Sequence, residues 1–392
     1  MDSFQKKDKK YVHWSAHCSL YSGKTRAYLI KKGLDFVEIN PGHAHYTEVL
    51  LPQIGFFSVP VLETPQGEVI QDTTAIIQFL EQKHPEPIMQ PADQIVRALA
   101  WLIHSYGTEG LFKAAQHFRW NFRDENFEFI INEFDRGLVP PALRGTPAGR
   151  ARAEEYAEAK TNALARIGVT RNTIPAIEKS TEKLFECLEQ HFRSYPYILG
   201  GRPSVADCGL MTALHAHLGR DPYPSRIMKG TAPALYRWTE TMNRPGIFDA
   251  ELWGVEPEFF EVETLPDTLL CFLELLCADF GPELVATAAA YADWLAATPE
   301  RPTGSLVNIN NEKQLRQSLG MITHIQQGVE ISREAWPDIL LMHQDFAGIV
   351  DSMSDPVRKK FASFMKGIGG DDFLSVELPR PLVRAPYSIL LS

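Results

Sequence analysis

The first 85 residues alternate short apolar strands with short amphipathic helices, and the remainder of the chain repeats a helical period almost throughout. Tyr11 to Ala16 alternates as a strand, and Ser22 to Lys32 has Thr25, Tyr28 and Leu29 at helical spacing before stopping at Gly33. Phe36 to Ile39 reads as a second strand. Asn40, Pro41 and Gly42 break the chain, and a short helix is expected through Glu48 to Leu51. Val59 to Glu63 and Glu68 to Gln71 flank the turn Pro65-Gln66-Gly67 as a hairpin, and Thr73 to Gln82 closes the unit as a helix. Strand, helix, strand, connector, hairpin, helix is the thioredoxin-like layout.

His84-Pro85-Glu86-Pro87 reads as a linker, because closely spaced prolines exclude a continuing helix. Beyond it, helices are expected at Ile95 to Phe118, Arg150 to Ile167, Ile174 to Phe192, Val205 to Leu218 and Pro233 to Met242. Asn121 to Gly149, rich in charge, Pro and Gly, reads as a loop region with short helical turns. After Asn243-Arg244-Pro245-Gly246 comes a helical stretch, Leu265 to Ala297, broken near Gly281-Pro282. Its residues Leu269, Leu270, Phe272, Leu273, Leu275 and Leu276 are too apolar for a free surface. A hairpin is expected at Met321 to Ser332, and helices at Trp336 to Ser352 and Pro356 to Gly367. Three units follow: 1–84 thioredoxin-like, 93–250 all-helical, and 251–392 a mainly helical extension.

Composition narrows the function classes. The chain has 392 residues and a formal charge of -10, which opposes a phosphate-gripping surface, so no nucleic-acid partner is expected. The basic run Lys6, Lys7, Lys9 and Lys10 reads as a solvated tail. Five cysteines (Cys18, Cys187, Cys208, Cys271, Cys277) are few and odd in number, which suits a reducing compartment. No stretch reaches the roughly 20 apolar residues of a membrane span, and no signal-peptide core follows the N-terminus, so a cytoplasmic protein without a membrane partner is expected. His215 and His217, two apart on a helix, diverge too far to share a metal, and no metal site is expected.

Three motifs carry chemistry. Ser58-Val59-Pro60-Val61-Leu62 opens a strand with a proline and is followed by Gln71-Asp72-Thr73 at a helix start. Cys18-Ser19-Leu20-Tyr21-Ser22-Gly23-Lys24-Thr25-Arg26 spans the turn from the first strand to the first helix. Leu199-Gly200-Gly201-Arg202-Pro203-Ser204-Val205-Ala206-Asp207 ends in a capping box, Ser204 to Asp207.

With these in order, the sequence resembles the glutathione transferase superfamily from Tyr11 to about Met242, and the segment from Leu214 through His215, His217, Arg220, Asp221 and Pro222 to Trp238 also looks like a bacterial branch with extended C-termini. The resemblance implies a thioredoxin-like N-terminal domain followed by an all-α domain, and glutathione as cosubstrate. It also implies a cis Val59-Pro60 bond whose Val59 backbone pairs with the cysteinyl unit. Thr73 would take the γ-glutamyl carboxylate and Asp72 its ammonium, and His45 or Gln53 on the connector would reach the glycyl carboxylate. The turn carries the group that meets the sulfur, where free amides at a helix N-terminus favour a thiolate. Aligned through Lys24 and Arg26, that group is Ser19. Aligned through Cys-Ser-Leu-x-Ser it is Cys18, and Tyr11, Ser15, Tyr21 and Ser22 are further candidates. The acceptor pocket would lie along Tyr106 to Trp120, with Tyr106, Glu109, His117 and Arg119; the bland alternative is that Phe118 and Trp120 are core and Arg119 an interface ion pair.

The expected function is thus glutathione-dependent transfer to a small, partly apolar electrophile, by conjugation, thioether cleavage or isomerisation, in a homodimer. The alternative is a non-catalytic scaffold or partner-binding protein, favoured if side chains of the extension fill the cleft beside Ser19.

Overall fold

A computed structural model describes residues 10–310, 316–385 and 388–392. Of the basic run, Lys6, Lys7 and Lys9 lie outside the described residues, while Lys10 pairs with Asp35 at 2.8 Å. The N-terminal unit is thioredoxin-like: β1 (Tyr11–Trp14), α1 (Leu20–Lys31), β2 (Phe36–Ile39), a π-helical turn (Tyr46–Leu50) running into α2 (Leu51–Ile54), β3 (Val61–Glu63), β4 (Val69–Gln71) and α3 (Thr73–Lys83). The strands order as β2-β1-β3-β4, with β1 parallel to β2 and antiparallel to β3. Alternation along the strands sends Val12, Trp14 and Val61 to one face with Tyr46, Leu50 and Ile54. Leu62 faces the other way, onto Ala27, Tyr28, Ile76, Ile77 and Leu80.

The helical part comprises α4 (Gln94–Ser105), a π-helical turn (Tyr106–Gly110), α5 (Phe112–Trp120), α6 (Arg123–Gly137), α7 (Pro147–Asn162), α8 (Ile174–Phe192), α9 (Val205–Leu214), α10 (Pro222–Thr231) and α11 (Pro233–Met242). The single helix expected from Ile95 to Phe118 is therefore interrupted. At the interruption Gly107 lies against α9 so closely that a Cβ would sit 2.5 Å from the Gly209 carbonyl carbon. The stretch read as loop at 121–149 contains the 15-residue α6, with acidic Asp124 and Glu125 in its first turn and a buried face of Asn126, Ile130, Ile131 and Phe134. The capping box forms as expected, and Asp207 also accepts from the Ile198 amide (2.9 Å) and Trp238 Nε1 (3.1 Å).

The extension holds α12 (Asp267–Ala296), the hairpin β5 (Met321–Gln326) and β6 (Val329–Glu334), α13 (Pro337–Ser352), α14 (Asp355–Gly367), α15 (Asp371–Ser375) and a second hairpin, β7 (Leu382–Ala385) with β8 (Ser388–Leu391). The expected break at Pro282 does not occur. The proline sits inside a continuous 30-residue helix in which Leu269, Phe272, Leu273, Leu276, Phe280 and Leu284 are buried. An interior proline costs about 3 kcal/mol, a sum that this burial exceeds. The extension shares one continuous apolar core with the other two parts, in which Leu20 and Leu62 join Tyr197 and Trp238, and these join Phe272, Phe361 and Ile389. A disulfide, Cys187 to Cys271, links α8 to α12 and was not anticipated from the cysteine count. Among the described residues, no helix is long and apolar enough to cross a membrane, and no group of three or more His, Cys, Asp or Glu is arranged to hold a metal ion.

Candidate functional site

Strand register brings the motif residues to one edge of the N-terminal sheet. Trp14 of β1 pairs with Val61 of β3, and Val61 pairs with Gln71 of β4. The next step outward places Val59-Pro60 between the turn at 15–19 on one side and Asp72-Thr73 on the other. The Val59-Pro60 bond is cis; Val59 is half-buried and Pro60 buried.

Ser19 is the N-cap of α1, in extended conformation, and its Oγ accepts from the Ser22 amide at 3.2 Å. Because that bond uses a lone pair of the oxygen, the hydroxyl proton stays available to a ligand. Cys18 is placed differently from its expected role as the sulfur's partner. Its side chain is buried in the second apolar cluster, with Ala16, Ala114, Trp120 and Phe134, and burial pushes its thiol up to about 11. A thiol so held is a poor source of thiolate at neutral pH, despite the helix N-terminus beside it. Among the other candidates, Ser22 Oγ accepts from the Ala16 amide (3.3 Å), Ser15 Oγ bonds Glu38, and the Tyr11 hydroxyl meets His84 (2.8 Å).

Asp72 is the N-cap of α3 at φ 82°, a left-handed conformation. Its Oδ1 accepts from the amides of Thr74 (3.0 Å) and Ala75 (3.1 Å), while Oδ2 faces Arg384 of β7 at 3.3 Å. Thr73 is buried as the first residue of the helix. On the connector, His45 stacks on Trp14 with ring centroids 5.5 Å apart and lies 3.3 Å from Glu63, whereas Gln53 is exposed and donates to the Val49 carbonyl.

The wall expected along Tyr106 to Trp120 is only partly a wall. Tyr106 is core, packed edge-on against Phe272 of α12. His117 is buried, with Nε2 on Glu178 (2.9 Å) and Nδ1 on Asn121 (2.7 Å), beside a groove of about 420 Å³ lined by Phe118, Glu178, Phe185, Tyr223 and Ile227 that shares no residue with the Ser19–Asp72 edge. Arg119 is locked in a buried bidentate pair with Asp221: Nε donates to Oδ2 at 2.6 Å and Nη2 to Oδ1 at 2.7 Å. Its Nη1 donates to the Cys18 carbonyl at 2.8 Å, so Arg119 holds the active-edge turn from behind. All three side chains are buried. Glu109 is equally buried but is bonded to α1. The Tyr21 hydroxyl donates to its Oε1 at 3.1 Å, and burial, with Asp338 adding to it, pushes its carboxyl well above the usual range.

Four charged residues of the site had no role expected of them. Lys24 is buried inside α1 and its Nζ donates to Thr74 (3.3 Å) and Thr108 (3.2 Å), tying the first helix to α3 and to the π-helical turn after α4; burial lowers its ammonium to about 8, against the pull of Asp72 and Glu109. Arg316, Asp338 and Arg384 come from the extension. Arg316 donates to Glu109 (3.0 Å) and to the Tyr21 hydroxyl, and its guanidinium lies over the Trp336 ring at 4.3 Å. Asp338 joins Arg316 and Arg384, each at 3.5 Å.

Comparison with known proteins matches residues 14–88 to the glutathione S-transferase N-terminal domain and residues 161–241 to the glutathione S-transferase C-terminal domain. Glutathione S-transferase Z2 of Arabidopsis thaliana is 31% identical over 113 residues, 28% of this chain and 49% of that protein, so the match spans about half of the relative's length. Among solved structures, a glutathione S-transferase of Methylobacterium radiotolerans in complex with glutathione sulfonate is 21% identical, with TM-score 0.33 over 64% of this chain and 97% of that one. The beta-etherase LigF of Sphingobium sp. is 18% identical, with TM-score 0.37 over 62% and 97%. With both signatures in order along one chain, and the motif residues gathered at one sheet edge, residues 14–88 and 161–241 are similar to the N- and C-terminal domains of glutathione S-transferases.

Proposed function

We propose that the chain is a glutathione-dependent transferase whose sulfur-activating group is Ser19. The observation that carries this reading is the shared sheet edge: the Ser19 cap of α1, the cis Val59-Pro60 bond and the Asp72-Thr73 cap of α3 fall side by side by strand register. Two helix N-termini thus meet at one edge, and their dipoles suit a thiolate at one end of a peptide and a carboxylate at the other. The Ser19 hydroxyl donates to the thiolate, Val59 pairs with the cysteinyl backbone, and the Thr73 hydroxyl and amide take the γ-glutamyl carboxylate. His45 is the better placed of the two connector candidates for the glycyl end, since Gln53 is turned to its own helix.

Activation is electrostatic. A free cysteine thiol ionises near about 8.5, and each unit by which the site lowers that value raises the thiolate fraction at neutral pH about tenfold. The activated sulfur then attacks an electrophilic carbon of a small, partly apolar acceptor, which would enter over Tyr21 and Glu109. We read the chain as three units, 1–84, 93–250 and 251–392, acting as a cytoplasmic homodimer.

The test is a calorimetric titration with glutathione, coupled to ultraviolet difference titration of the bound thiol. Ser19→Ala should raise the bound thiol's ionisation by about one unit, and cut turnover of an electrophile at pH 7 about tenfold. The lost cap should cost only about 1 kcal/mol of stability. Absence of glutathione binding at millimolar concentration would defeat the proposal.

A further inference from the structure

Asp72 is the group expected to meet the γ-glutamyl ammonium, yet its outward oxygen already holds a cation. Oδ1 is committed to the first amides of α3, and Oδ2 lies 3.3 Å from Nη1 of Arg384. Arg384 is not there by default of a loose chain. Its strand is pinned by the neighbouring Leu382, whose amide donates to Gln344 Oε1 (2.6 Å) and whose carbonyl accepts from Gln344 Nε2 (2.9 Å). Asp338 holds the same guanidinium at 3.5 Å and, with its other oxygen, holds Arg316. Arg316 in turn sits on Glu109 and Tyr21, the two groups over which an acceptor would enter. The extension therefore places a cation at each end of the site and joins the two through one carboxylate.

We propose that Arg384 is a resident competitor for the γ-glutamyl ammonium, so that glutathione binds in exchange for the Arg384–Asp72 ion pair. This rests on the glutathione reading given above. Two cations beside one carboxylate oxygen repel each other, so guanidinium and ammonium do not share Asp72 without loss. The pair is exchangeable rather than sealed: the Arg384 and Asp72 side chains keep 23% and 18% of their accessibility, and ion pairs that water reaches are weak. Asp338 receives the displaced guanidinium without further movement of the backbone, since it already lies within ion-pair distance. Affinity for ligands bearing a free α-ammonium is thereby set from the extension, by a residue outside both matched domains.

The experiment uses the full chain and calorimetric titration of wild type, Arg384→Gln and Arg384→Lys with two probes, glutathione and N-acetylglutathione, which lacks the ammonium. Arg384→Gln should tighten glutathione by about two- to fivefold, the worth of one water-accessible ion pair, and leave N-acetylglutathione unchanged. Arg384→Lys, which restores the charge, should return glutathione to the wild-type value, and its melting temperature controls for folding. Unchanged or weaker glutathione binding by Arg384→Gln, or an equal gain with the acetylated probe, would overturn the competitor while leaving the glutathione reading intact. No binding by wild type or by either variant would defeat the glutathione reading, and this proposal with it.

Discussion

Replacing Arg119 by Met tests the assignment of that residue to structure rather than to substrate. The change preserves most of the side-chain length and removes the guanidinium, so that the Asp221 carboxylate, fully buried, loses the bonds at 2.6 and 2.7 Å that neutralise it. The carbonyls of Cys18 and Ala216 lose a donor at 2.8 and 3.3 Å. Breaking a buried pair from one side costs about 3–5 kcal/mol, because the remaining charge is stranded. That is a large part of a net stability of about 5–15 kcal/mol. Equilibrium urea unfolding, followed by tryptophan fluorescence and near-ultraviolet circular dichroism, measures the loss. The double variant Arg119→Met/Asp221→Leu should recover most of it, since removal of both partners of a buried pair is often close to neutral. The single variant's deficit should also shrink as the pH is lowered, because burial already raises the Asp221 carboxyl and a proton can then neutralise it in place. A cost below about 1 kcal/mol, or a double variant as unstable as the single one, would refute the assignment and return Arg119 to the pocket.

Two further outcomes follow from the buried charges and the cysteines. Burial acts to raise the Glu283 carboxyl, but Arg333, Lys113 and His324 together overcome it and hold it at about 2. A carboxyl depressed in the folded state adds stability that is present above the unfolded value near about 4.5 and is lost as the pH falls towards 2. Acid unfolding of the wild type should therefore steepen in that window, and Glu283→Gln, less stable at pH 7 by a few kcal/mol, should show a flatter profile there. Alkylation under denaturing conditions should label Cys18, Cys208 and Cys277 without reductant and all five cysteines with it. Reduction should lower stability by up to about 4.5 kcal/mol, the chain-entropy figure for a loop of 84 residues.

The N-terminal sheet and its edge were legible because strand pairing, turns and caps are local, each written in a few adjacent residues. Val59-Pro60, Asp72-Thr73 and Ser204–Asp207 are examples, and Ser19 needed only its place before α1. The wall of the site was less legible. Tyr106, His117 and Arg119 share a helical stretch with Glu109, but spacing along a helix does not say which neighbours arrive on each face, and Phe272, Glu178 and Asp221 are supplied by distant segments. For α6 the signal was present in its buried face and was outweighed by its charge content. Cys18 shows the limit of a motif that fixes position but not orientation, since the residue is in the turn while its sulfur is in the core. Arg316 and Arg384 carried no signal at all. They sit in short irregular or strand segments, and only the tertiary path of the extension brings them 295 and 312 residues from Tyr21 and Asp72 in sequence to contact in space.

The Glu283 cluster has a meaning for truncation. Lys113 belongs to α5, inside the ordinary two-domain portion, while its partner Glu283 lies on α12, and Arg333 and His324 are on the β5–β6 hairpin. A chain cut before the extension would lose Glu283, Arg333 and His324 together, and the Lys113 ammonium would be left without the counter-ion it has in the full chain.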